Sequence, residues 1–142
     1  MNQAVPTLSA STAARGVTVK PCSWRTEALN KIVELAALPE NWDGYGSRRI
    51  QSAAQHQTTN LIEKLSQTAL PAPQIFPVPG GGLQLEWQTE QSGAELEILP
   101  DGSMQYLIED ASHEMREGTA SELEVTRLVR WLEAQETSIA TF

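Results

Sequence analysis

The chain has one cysteine, Cys22, in 142 residues, so it can form no intrachain disulfide and no cysteine cluster for zinc. Its two histidines, His56 and His113, have no histidine partner at zinc-ligand spacing. His113-Glu114 opens like a zinc-protease motif but continues Met115-Arg116-Glu117, and no metal site is expected. No apolar run approaches the ~20 residues that span a bilayer. The first residues also lack a charged segment followed by a continuous hydrophobic one, so neither membrane insertion nor export is expected. With no sign of an oxidising compartment, the expected location is the cytoplasm. The Gly80-Gly81-Gly82 run lacks the lysine and hydroxyl residue of a phosphate-binding loop and reads as a hairpin turn. No nucleophile elbow is present, and no cofactor is expected.

Positive charge is scarce where negative charge is dense. The net charge is −8. Beyond residue 70, Arg116, Arg127 and Arg130 face thirteen carboxylates. Such a field repels nucleic-acid backbones, so direct nucleic-acid binding is not expected, and it favours solvent or a basic protein partner. The length suits one domain able to bury roughly 68–70% of its unfolded surface.

The clearest pattern is the period-two alternation of residues 83–109, LQLEWQTEQSGAELEILPDGSMQYLIE, which predicts a meander of three short strands. Leu83, Leu85 and Trp87 share a face with Ala94, Leu96, Ile98, Met104, Tyr106 and Ile108. Leu99-Pro100-Asp101-Gly102-Ser103 has the residues of a three-residue hairpin loop closed by a glycine with positive φ. Setting Leu99 opposite Ser103 pairs Ile98 with Met104, Leu96 with Tyr106 and Ala94 with Ile108. The preceding hairpin pairs Trp87 with Ala94, Leu85 with Leu96 and Leu83 with Ile98. Gln84, Glu86, Glu95, Glu97, Gln105 and Glu109 then occupy the opposite, acidic face, with Leu99 and Leu107 as apolar exceptions.

Residues 1–21 contain no acidic residue and no sustained period, and read as a flexible tail apart from an edge strand that Val17 and Val19 could form. Residues 22–142 read as a single α+β domain. Ser23 suits the cap of a helix reaching Leu38, with Ala28, Leu29, Ile32, Leu35 and Ala36 at helical spacing. Pro39 stops it. A second helix is expected from Ser47 to Ala69, with Ile50, Ala53, Ala54, Leu61, Ile62 and Leu65 on its buried side. Ile75, Phe76 and Val78 fit a further strand at the meander edge, where Pro77 is tolerated. Residues 110–118 are ambiguous, with room for a short strand around Met115. Ser121 and Glu124 form a capping box for a final helix with a Val125, Leu128, Val129 and Leu132 stripe. The expected fold is therefore two N-terminal helices, a three- or four-stranded antiparallel meander, and a C-terminal helix packed on the sheet.

Two stretches carry candidate chemistry. The loop Pro39 to Ser47 is rich in turn residues yet holds Trp42 and Tyr45, with Asn41 and Asp43 suited to backbone capping rather than calcium binding. Glu86, Glu95 and Glu97 share the outer sheet face, where carboxylates serve solubility, acid–base work with a divalent ion, or attraction of a basic surface. Arg48-Arg49, at the expected start of the second helix, calls for compensation. Glu40 and Asp43 folding back, or an acidic partner, would supply it.

Leu38-Pro39-Glu40-Asn41-Trp42-Asp43-Gly44-Tyr45-Gly46, followed by Pro77-Val78-Pro79-Gly80-Gly81-Gly82-Leu83-Gln84-Leu85-Glu86-Trp87 and the Glu95 to Gly102 turn, resembles a group of small, uncharacterised bacterial and phage-borne proteins. The resemblance covers residues 35 to 109 and implies one domain of bacterial or phage origin. It brings no catalytic residue. The residues favour a non-enzymatic protein-binding module that neutralises a toxin or a host-defence component. Trp42, Asp43, Tyr45, Glu86, Glu95 and Glu97 are its expected contacts with a protein partner of basic character. A metal-dependent hydrolase using the outer-sheet carboxylates and a structural homo-oligomeric subunit stay open beside it.

Overall fold

The computed structural model describes residues 24–140. The expected tail, the Val17 and Val19 strand, Cys22 and the Ser23 cap lie outside the described residues. The fold is α+β, with two N-terminal helices, a five-stranded antiparallel meander and a C-terminal helix.

Helix α1 spans Arg25–Ala36 and buries Ala28, Ile32 and Leu35, three positions on one helical face. Trp24 precedes it and donates its indole N–H to the Leu70 carbonyl at 3.1 Å. Helix α2 spans Ser52–Leu65 and buries Ala54, Thr58, Leu61, Ile62 and Leu65. The buried Thr58 hydroxyl is satisfied by the Ala54 carbonyl at 2.7 Å.

The helix starts five residues later than its sequence pattern predicts. Residues 47–51 have no helical assignment. The Arg48 N–H donates to the Pro79 carbonyl at 2.8 Å and the Gln51 N–H to the Gly81 carbonyl at 2.9 Å. These long-range bonds occupy amides that a helix would otherwise begin to organise. Ile50 is buried as expected, but from a linker, and Ala53 is exposed.

The sheet runs β1 (Gln74–Val78), β2 (Gly82–Gln88), β3 (Gly93–Ile98), β4 (Met104–Glu109) and β5 (Met115–Ala120) in sequential order. The three-strand register has the expected pairs, including Leu85 with Leu96 and Leu96 with Tyr106. Leu99 N–H bonds the Ser103 carbonyl at 2.8 Å and Gly102 has φ 92°, which is the geometry of the predicted loop. β1 pairs with β2 through Ile75 and Leu85. At Gly82 a Cβ atom would lie 2.2 Å from the Ile98 carbonyl oxygen. Only a residue without a side chain lets β2 begin so close to β3.

Among the described residues the sheet has five strands, the fifth being the short strand for which residues 110–118 left room. β5, MREGTA, has no apolar alternation. It pairs with β4 through Arg116 with Ile108, Gly118 with Tyr106 and Ala120 with Met104. The Asp110 carboxylate sets up the turn into it by accepting from the Ser112 and Glu114 N–H groups at 2.9 and 3.0 Å.

Helix α3 spans Glu122–Ala140 and contacts β5. Ser121 bonds the Glu124 carboxylate through both its N–H and its hydroxyl, joining the two members of the expected capping box. Leu128 and Leu132 are buried, while Val125 and Val129 pack against the core at its edge. All three helices lie on the side of Leu83, Leu85, Trp87, Leu96 and Ile98, so the hydrophobic core forms between one sheet face and the helical layer.

Candidate functional site

The outer face of the sheet follows from strand parity. Pairing lines up Gln74, Glu86, Glu95, Leu107 and Glu117 in one row across the five strands. Phe76, Gln84, Glu97, Gln105 and Thr119 form the next row. Glu109 and Met115 face outward from the last two strands. Among the described residues, the strands therefore present five glutamates and no basic residue on this face.

Glu86 and Glu95 stand directly opposite each other, an arrangement of like charge that weakens a strand pair. Burial, together with the charges of Glu86 and Glu97, raises the Glu95 carboxyl above its ordinary 4.5. Gln84 Nε2 offers the Glu86 carboxylate one hydrogen bond at 2.5 Å. Glu109 meets His113 at 3.0 Å. Among the described residues, Glu86, Glu95, Glu97 and Glu117 form no ion pair.

On β4, next to the edge strand, the half-buried Leu107 pairs with Glu95 on one side and Glu117 on the other. Glu95, Glu97, Gln105, Leu107, Glu117 and Thr119 line a surface depression of about 330 Å³ here. An apolar floor ringed by carboxylates suits a long basic side chain, which lays its methylene stem on a hydrocarbon and its charge among acids. Leu107, the apolar exception in the sequence pattern, thus forms the floor of the acidic patch. Glu117 is not evident from the sequence because residues 110–118 show no alternation that fixes which face it takes. Among the described residues, no group of three or more His, Cys, Asp or Glu side chains is disposed to hold a metal ion.

The loop after α1 forms a second surface. Asn41, Gly44 and Gly46 have positive φ of 61°, 79° and 84°, a region that asparagine and glycine tolerate. The Asn41 N–H reaches the Ser47 carbonyl at 2.6 Å, and Asn41 Oδ1 accepts from the Gly46 N–H at 2.6 Å. Asp43 accepts from the Tyr45 N–H at 2.9 Å and from the Ser47 hydroxyl. These bonds, the Ser47 hydroxyl first, hold the Asp43 carboxyl below its ordinary 3.8. The half-buried Trp42 donates its indole N–H to the Arg48 carbonyl at 3.1 Å. Tyr45 is 92% exposed. A backbone pinned this closely carries an exposed aromatic at little entropic cost to a partner.

The loop packs at one end of the sheet. A Cβ at Gly81 would sit 3.0 Å from Gln51 Cγ and 3.1 Å from the Arg49 carbonyl oxygen, and one at Gly102 would sit 3.4 Å from the Ala53 carbonyl oxygen. The segments 38–46, 77–87 and 95–102 thus meet through the linker 47–51 and the first turn of α2. Trp42, Asp43 and Tyr45 share this end. Glu86, Glu95 and Glu97 share the outer face, and no hydrogen bond or ion pair joins the two sets among the described residues.

A groove of about 700 Å³ lies between α2 and α3, with Leu61, Leu65, Met104, Val125 and Val129 among its lining. Its charged rim is already engaged, Glu63 with Arg25 at 2.6 Å and Lys64 with Glu122 at 2.9 Å. No helix among the described residues is long and apolar enough to cross a membrane. Comparison with protein-family models, with curated proteins and with solved structures yields no match.

Proposed function

We propose that the chain is a non-enzymatic protein-binding module whose outer sheet face receives a basic surface of its partner. The observation that supports this most strongly is the depression around Leu107, bordered by Glu95, Glu97 and Glu117, three carboxylates with no ion pair among the described residues. Glu95, which borders the depression, stands opposite Glu86, like charges so opposed cost the sheet stability, and a guanidinium or ammonium group placed beside Glu95 offsets that cost. Tyr45, held on its pinned loop, is the aromatic contact available at the adjoining end. Proteins that act on nucleic acids carry basic surfaces. Covering such a surface with this acidic face would neutralise a toxin or a host-defence component.

The test is affinity purification on the immobilised chain, with elution by rising salt and identification by mass spectrometry. The control is the folded Glu95→Gln/Glu97→Gln/Glu117→Gln variant. A basic protein retained by the wild type, released by salt and absent from the variant supports the reading. Equal retention by both chains refutes it.

A further inference from the structure

Arg48 and Arg49 are adjacent and exposed in a chain of net charge −8. Glu40 and Asp43 do fold back, as the sequence suggested, but onto the backbone. Glu40 Oε2 accepts from the Arg49 N–H at 3.1 Å, and Asp43 from Tyr45 and Ser47. Neither guanidinium pairs with a carboxylate among the described residues.

The backbone under the pair is fixed from several sides. The Arg48 N–H bonds Pro79, the Arg48 carbonyl accepts from Trp42, and the Arg49 carbonyl accepts from Gln51 Nε2 at 2.9 Å. Two unpaired cations and the exposed Tyr45 ring therefore share a rigid base at one end of the sheet. The unpaired glutamates occupy its outer face. Within one molecule the two sets do not meet, so their complementarity is left for a contact between molecules.

We infer that this end of one copy docks on the outer sheet face of a second copy, Arg48 and Arg49 engaging Glu95, Glu97 and Glu117, with Tyr45 as the apolar contact. The inference rests on the outer face being a docking surface for basic side chains, and it names one occupant. Because the two surfaces differ, the contact is heterologous and builds rings or open chains rather than a closed two-fold dimer. Screening over roughly 8–10 Å at physiological salt damps the repulsion between acidic chains, while contacting charges still attract.

Sedimentation velocity of the full chain across concentration and salt tests this. The wild type is expected to show a mass that rises with concentration and falls with salt. Arg48→Glu/Arg49→Glu is expected to weaken association at least about tenfold, as is Glu95→Gln/Glu97→Gln/Glu117→Gln. Mixing these two variants leaves one intact pair of surfaces, so 1:1 dimers and nothing larger are expected. Thermal melts confirm that each variant is folded, and Arg48→Ala/Arg49→Ala replaces the reversal if it is not. A wild type that stays monomeric, an arginine variant that associates like the wild type, or a mixture that stays monomeric overturns the inference. A monomeric wild type that still captures a foreign basic protein leaves the proposed function standing, whereas loss of both refutes both.

Discussion

Replacing Glu95 by glutamine is expected to stabilise the fold while weakening its binding of a basic partner. Glu95 faces Glu86 directly and has Glu97 two residues along the same strand face, and among the described residues no ion pair offsets the three. Opposed like charges at this spacing cost a few tenths to about 1 kcal/mol. Glutamine keeps the shape and removes the charge, so a gain of about 0.5–1 kcal/mol is expected at neutral pH, or ~2–4 °C in Tm. The pH dependence fixes the cause. The folded-state pKa of Glu95 is raised above 4.5, so the ionised group costs stability at neutral pH. That cost disappears as the pH falls through the raised value toward the unfolded one. The variant's advantage should therefore be complete at neutral pH and absent below 4.5. Urea denaturation of both proteins across this range measures it. No gain at neutral pH, or a gain that persists in acid, would refute the electrostatic reasoning.

Other outcomes follow from single contacts. Gly82→Ala forces a Cβ against the Ile98 carbonyl, and a loss of roughly 1–3 kcal/mol is expected in urea unfolding. Tyr45→Ala removes a ring that is 92% exposed; its stability should stay within about 0.5 kcal/mol of wild type, while partner capture weakens. Ser121→Ala breaks the capping box at the start of α3, at a cost of about 1 kcal/mol, read from the same melts. Asp43 has a lowered pKa, so its contribution is complete above 3.8 and is lost as the pH falls through the depressed value. The Trp42 indole N–H resonance should report the loop opening there, and Asp43→Asn should remove that acid transition.

The sheet was legible where parity and turn chemistry are local. The alternation from Leu83 to Ile108 and the loop at Pro100 to Gly102 specified the register of β2, β3 and β4 residue by residue. The start of α2 was hidden because amides between Ser47 and Gln51 bond a hairpin turn some thirty residues away in sequence. β5 stayed ambiguous for a different reason. Its inward positions are Arg116, Gly118 and Ala120, and Gly118 serves by having no side chain. A Cβ there would come within 3.1 Å of Tyr106 Cε1, so the glycine makes room for the ring that faces it. Without a clear parity for β5, Glu117 could not be assigned to the outer face, nor the far wall of the depression at Leu107 be seen. Glu86, Glu95 and Glu97 were read correctly as sharing one face. That Trp42, Asp43 and Tyr45 lie at its end, apart from the acids, required the packing of Gly81 and Gly102 against the linker.

The central claim, that the outer face is where a partner docks, is tested most directly by methyl NMR of the chain with its salt-eluted partner. Leu107 and Met115 report on the outer face; Leu83 and Leu96, both fully buried, report on the core. Shifts at Leu107 and Met115 that vanish in the Glu95→Gln/Glu97→Gln/Glu117→Gln variant are the expected result. A partner that binds while leaving both outer methyls unmoved would contradict the account.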